Sequence, residues 1–267
     1  LRKPFIMTWN SIMGFISTVT LLLPFFLILL LRLATYRSFP ALLLYYFIVS
    51  VYNMLTEGYI KAPADVVYYW GLANNLLDVP LMMYFLTYFS PSKAFLKRMR
   101  MIVLAFVGWE LVVLSFRGLN IDAITIILAP GLPLVLGYCL YFFTRQVKLA
   151  IVHRKATGKA MMVSSLLFAY GCYTIIYLMY YVFKAHLDPN NQVKTQYVED
   201  TFLVYFMVTF LSSLLISAGI LVERKRIYKL TELKITRKEL SKIYPADTKR
   251  TVPLRTALLD FDKDHWN

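Results

Sequence analysis

Charged residues are few in this chain, and long stretches have none at all. They make up 16% of 267 residues, against about 25% in an ordinary soluble domain. The apolar residues come in long unbroken blocks without the half-polar period of surface helices, which excludes a water-soluble core. Short segments of alternating polarity are also lacking, which excludes a membrane β-barrel. The two cysteines, Cys139 and Cys172, both fall inside apolar blocks. They read as small core residues, so no disulfide framework is expected. The three histidines, His153, His186 and His265, lie far apart with no partner at ligand spacing. No metal site and no other cofactor is expected.

Catalytic motifs are missing as well. There is no H-E-x-x-H, no G-x-S-x-G and no pair of GxGD-type aspartates, and no apolar block carries a histidine. The chain is therefore not expected to be an enzyme. The last block has no lysine, which excludes a retinal Schiff base there, and it has no NPxxY. The third block ends in LTYFSPSK and not in an acid-Arg-aromatic triplet, so the motifs of heptahelical receptors are absent.

What the chain does have is span-length hydrophobicity, since about 20 mostly apolar residues cross a bilayer as a helix. Seven blocks qualify: Ile6 to Leu31, Phe39 to Ile60, Val66 to Phe89, Met99 to Phe116, Ile121 to Phe143, Ala160 to Phe183 and Val198 to Val222. The expected fold is an all-α integral membrane protein, a seven-transmembrane-helix bundle over residues 1–222, with six helices as the main alternative. The first block is longer than a signal-peptide core and no A-x-A-like site follows it, so it is expected to be retained.

Acidic residues are absent from three connections, and this sets the expected orientation. After the first, third and fifth blocks stand Arg32 and Arg37; Lys93, Lys97, Arg98 and Arg100; and Arg145, Lys148, Arg154, Lys155 and Lys159, with no Asp or Glu. The opposite side mixes Arg2, Lys3, Lys61, Arg117, Lys184 and Lys194 with Asp65, Asp122, Asp188, Glu199 and Asp200. By the positive-inside rule the N-terminus lies outside and the C-terminus in the cytoplasm. A multi-pass plasma or inner membrane location follows. The net charge of +14 is then explained by anionic headgroups as partners of the cytoplasmic loops, and nucleic acid is not expected.

Beyond Val222 the chain becomes basic, with Ile227, Leu230, Leu233, Leu240 and Ile243 at roughly helical spacing. Residues 223–267 read as a cytoplasmic tail that continues the seventh helix or lies on the membrane as an amphipathic helix. Ser212, Ser213, Ser217 and Gly219 permit close helix packing, so helix seven or the tail could dock a protein partner.

Three acids lie within the apolar blocks beyond their first three residues, where insertion costs about 2.5 to 3.5 kcal/mol each. These are Glu57, Asp78 and Glu110. Asn53 shares a face with Glu57, and Asn74 and Asn75 lie one turn from Asp78. Tyr170, Tyr173, Tyr177 and Tyr181 are spaced three, four and four apart, which places them on one face of the sixth helix. An outward-facing polar pocket is expected from Asp78, Glu110, Asn74, Asn75, Asn53, Glu57, Tyr170, Tyr173 and Tyr177, the acids and asparagines accepting the tyrosine hydroxyls. The competing reading makes the tyrosines core or interfacial residues, like Tyr68, Tyr69 and Trp70. The expected function is a membrane sensor or receptor-like module for a small ligand. The alternatives are a proton- or cation-coupled transporter and a non-catalytic subunit of a membrane complex. Among the prolines, Pro24, Pro80, Pro130 and Pro133 interrupt blocks, and APGLP predicts a local break in the fifth helix.

Overall fold

A backbone out of contact with water must satisfy its own N–H and C=O groups, so each long apolar run folds as helix. The computed structural model describes residues 9–152, 156–186 and 193–243. These residues form α1 (Trp9–Leu30), α2 (Phe39–Thr56), α3 (Ala64–Leu86), α4 (Lys93–Arg117), α5 (Ile121–Val152), α6 (Thr157–His186) and α7 (Val193–Ile243), with a 3₁₀ turn at Thr87–Phe89 after α3. No strand occurs among the described residues. Six helices, all but α3, are long and apolar enough to cross a membrane. The chain is an all-helical, multi-pass membrane protein. At 23 residues α3 has the length of a span, about 35 Å, but Asp65, Asn74, Asn75 and Asp78 hold its hydropathy down.

The helices outrun several apolar blocks because a helix need not stop where its first charge appears. On α4 the helix opens at Lys93, where the Ser92 side chain accepts from the Phe95 backbone N–H at 3.2 Å, and it closes on Gly118 at φ 72°. These are an N-cap and a left-handed C-terminal residue that only glycine takes without strain. The largest extension is α7, which runs through Val222 without interruption to Ile243. Of the two readings of the basic tail, this is continuation of the seventh helix. Residues 244–267 lie outside the described residues, as do residues 1–8 and the 153–155 part of the α5–α6 connection.

One expectation is corrected. APGLP does not break α5, which is continuous through Pro130 and Pro133. Gly131 between them is buried against the Val79 side chain of α3 and the Phe106 ring of α4. Neighbouring helices thus clamp the segment, the setting in which membrane helices tolerate proline.

The packing order places the interior. α7 lies along α6 and α1, α2 along α1 and α3, and α5 along α3 and α6, with α4 set outside α3 and α5. Small residues let backbones close: a Cβ on Gly158 of α6 would meet the Glu223 backbone of α7 at 2.7 Å, and one on Gly219 would meet Met162 at 2.7 Å. Neither helix has room for more than hydrogen there. At one end of the bundle the Glu57 carboxyl abuts Gly14 and the Phe15 and Tyr59 rings meet at 6.0 Å. At the other end Ser38, before α2, hydrogen-bonds Thr87, after α3, at 2.8 Å. This second end gathers the all-cationic connections and is called the basic end below.

Candidate functional site

Asp78 sits on α3, half-buried, and accepts a hydrogen bond from the Tyr170 hydroxyl of α6 at 2.5 Å. Tyr170 is 1% exposed. A hydroxyl this deep must find an acceptor, and a carboxylate is the strongest available. The network continues from ring to ring: Tyr170 meets Tyr173 at 6.0 Å and Tyr173 meets Tyr205 of α7 at 5.6 Å. The Tyr173 hydroxyl shares a hydrogen bond of 3.1 Å with Thr209 of α7, whose own hydroxyl donates to the Tyr205 carbonyl at 2.8 Å. The charge of Asp78 also reaches Tyr45 of α2 and Tyr205 of α7. One carboxyl is thereby bonded to α6 and linked through Tyr170 and Tyr173 to α7.

Beside this network is a cavity of about 10 Å³, lined by Leu21 of α1, Tyr45 and Tyr46 of α2, Met82 of α3, Tyr170 and Tyr173 of α6, and Thr209 and Ser213 of α7 among others. That volume suits a single water molecule. In this conformation the bundle holds no space for an organic ligand there.

From the cavity a polar seam leads towards the end opposite the basic one. Tyr46, Ser50, Asn53 and Glu57 recur at spacings of four, three and four along α2, and so lie on one face. Ser50 and Asn53 are 2% and 3% exposed. Across from them α1 presents Gly14, which touches Glu57, and Leu21, which lines the cavity with Tyr46. Between these two contacts Ser17 Oγ, Ser50 Oγ and Asn53 Nδ2 are buried without a hydrogen-bond partner among the described residues. Buried polar atoms in membrane proteins are usually satisfied. These three concentrate along the one seam between α1 and α2. Glu57 lies just beyond the α2 span, and partial burial raises its carboxyl above the ordinary value.

The structure thus brings Asp78, Tyr170 and Tyr173 together and places Asn53 and Glu57 on the α2 face that carries Tyr46 of the cavity lining. Asn74 and Asn75 are half-buried on α3 above Asp78, and the Asn75 side chain donates to the Gly71 carbonyl at 3.0 Å within its own helix. Two residues go elsewhere. Tyr177 donates to the Thr125 carbonyl of α5 at 2.8 Å, because its seat one turn beyond Tyr173 meets α5. Glu110 is 4% exposed on α4, a helix that packs against α3 and α5 and contributes nothing to the cavity lining. Its Oε1 has no hydrogen-bond partner among the described residues. Asp78 and Glu110 share a depth but not a pocket. The side chain of Tyr181 lies outside the described residues. Sequence reasoning missed Tyr45, Tyr46, Tyr205 and Thr209, although the Tyr46 to Glu57 spacing was legible.

A second polar cluster, at the basic end, was missed entirely. Glu223 of α7 is fully buried, and its Oε1 accepts from the Tyr88 hydroxyl and from the Arg226 guanidinium. Arg226 Nε donates to the same oxygen at 2.9 Å. The Lys159 ammonium of α6 stands 4.9 Å from the centre of the Tyr88 ring, within cation–π range. No group of three or more potential metal ligands occurs among the described residues. No family model, no curated protein and no solved structure matches this chain.

Proposed function

We propose that the chain is a receptor-like membrane module, with seven spanning helices, its N-terminus outside and its basic end in the cytoplasm. In this reading α3 is the seventh span, its polar face covered by its neighbours, and the all-cationic connections face the anionic leaflet. The carrying observation is the path from Asp78 on α3 to Thr209 on α7, made of the Tyr170–Asp78 hydrogen bond, the Tyr170–Tyr173 ring contact and the Tyr173–Thr209 hydrogen bond. A small polar ligand with a cationic or donor group enters along the Glu57–Asn53 seam and competes with Tyr170 for the Asp78 carboxylate. Entry requires α1 and α2 to part, since the cavity of about 10 Å³ admits no more than a water molecule. Release of Tyr170 then shifts Tyr173 against α7, and α7 carries the shift into the cytoplasm.

The test is a thermal-shift screen of small amines and polar metabolites on detergent-solubilised protein, followed by Asp78→Asn. Stabilisation of the wild type that disappears in a folded Asp78→Asn variant supports the reading. A ligand that stabilises both proteins equally removes Asp78 from the site.

A second reading, a proton- or cation-coupled transporter, is favoured by Glu110, a second carboxyl buried at mid-helix with an unpartnered oxygen. It requires flux that changes with pH in proteoliposomes and stops when Asp78 or Glu110 is neutralised.

A further inference from the structure

The basic end has a gathering of cations that the Asp78 network does not use. Lys159 is half-buried on the first turn of α6, and the charges of Arg226, Arg37 and Arg145 all act on its ammonium, with Glu223 as the opposing carboxylate. They come from four places in the sequence: the α1–α2 connection, the end of α5, the start of α6 and the body of α7. Glu223 is already engaged by Arg226, and Arg226 also reaches the Tyr88 hydroxyl at 3.3 Å. Lys159 and Arg37 have no carboxylate to themselves in this cluster. Like charges held together at the edge of a low-dielectric bundle repel, so the arrangement favours an anion that joins them.

Two further details narrow the chemistry. Arg37 has φ 44°, in the left-handed region that residues with a side chain rarely adopt, and its guanidinium lies 5.7 Å from the Tyr36 ring centre. Tyr36 in turn meets the Tyr88 ring at 6.3 Å, so a strained turn delivers the cation to the cluster. The second Glu223 oxygen, Oε2, is buried with no hydrogen-bond partner among the described residues. A fully ionised anion would repel that oxygen, whereas an anion that keeps one O–H can donate to it.

We infer that Lys159, Arg37 and Arg226, with Tyr88 and Glu223, form a binding site for a phosphoryl group that retains one proton. The phosphoryl group is either the monoester headgroup of a membrane lipid or free inorganic phosphate. The cations hold its ionised oxygens, Tyr88 keeps its hydrogen bond to Glu223 Oε1, and Glu223 Oε2 accepts from the P–OH. The site does not depend on the reading given for Asp78, and each can fail alone.

The experiment follows the thermal unfolding of the full chain at neutral pH. Inorganic phosphate is titrated against sulfate at matched ionic strength in detergent. Phosphatidylcholine nanodiscs are compared with and without phosphatidic acid. Phosphate or phosphatidic acid should raise the midpoint and sulfate, which has no O–H at this pH, should not. A response to phosphatidic acid alone identifies a lipid headgroup, and a response to phosphate identifies the free anion as sufficient. Lys159→Gln and Arg37→Gln should each weaken the effect about ten-fold, the loss of one charge-assisted hydrogen bond. Arg37 is exposed, so its variant keeps the test valid if Lys159→Gln fails to fold. Absence of any response to both phosphoryl compounds overturns the inference. So does an equal response to sulfate, or a response unchanged in the Arg37→Gln and Lys159→Gln proteins.

Discussion

The Tyr170 hydroxyl on α6 and the Asp78 carboxylate on α3 meet at 2.5 Å although 92 residues separate them. Interhelical hydrogen bonds in membranes average about 0.6 kcal/mol and reach about 1.7. A buried, charge-assisted pair belongs at the upper end. Tyr170→Phe should therefore lower stability by about 1–2 kcal/mol. In a double-mutant cycle with Asp78→Asn the two losses should fall well short of adding. Additive losses would show that the pair is not coupled.

Glycine substitutions separate close packing from mere helix propensity. Gly158→Ala places a methyl against the Glu223 backbone, which cannot turn aside as a side chain can. It should cost about 1–3 kcal/mol or more as α6 and α7 separate. Gly137→Ala on α5 meets nothing within 4 Å and should be neutral or gain up to about 1 kcal/mol from better helix propensity. Equal effects at the two positions in reversible unfolding would contradict the α6–α7 contact.

The pH dependence of stability should include a share from Glu57. Burial raises its carboxyl above the ordinary value, so the folded chain holds that proton more tightly than the unfolded chain. The stabilisation is full below the unfolded pKa, about 4.3, and is lost as pH rises through the higher folded value. Melting curves of the wild type and Glu57→Gln should therefore diverge as pH rises from about 4, with the wild type losing ground. A constant gap between them would mean that Glu57 titrates alike in both states.

Whether α3 spans is open to direct measurement. With Cys139 and Cys172 replaced by alanine, single cysteines at Gly58, Pro91 and Asn120 would be labelled with an impermeant thiol reagent in intact cells. Gly58 and Asn120 should label from outside, and Pro91 only after permeabilisation. Labelling of Gly58 and Pro91 from the same side would reduce the spans to six.

The helices were legible in the sequence because apolar length and the three-to-four residue period are local properties. Position along a helix axis was legible too, since each residue adds 1.5 Å. What one chain cannot reveal is which neighbour each helix turns towards. Tyr170 and Tyr177 share a face of α6, yet one meets Asp78 of α3 and the other Thr125 of α5. Glu110 was grouped with Asp78 by depth and is separated from it by helix order. Glu223 escaped notice for a different reason. In VERKR it reads as one solvated charge in a basic tail, and only the close approach at Gly158 makes it a buried one.

The uninterrupted course of α7 has a mechanical consequence. From Ile220 to Ile243 it contains neither glycine nor proline, which removes the usual points at which helices kink. Such a rod, about 36 Å long over these 24 residues, resists bending and transmits torsion. A small turn about its axis at Ile220 would reappear at Tyr228 and Glu232 as a change in the surface the helix offers. In the proposed reading, what passes along α7 is then an angle, which a partner at the basic end would read as a different face of the same helix.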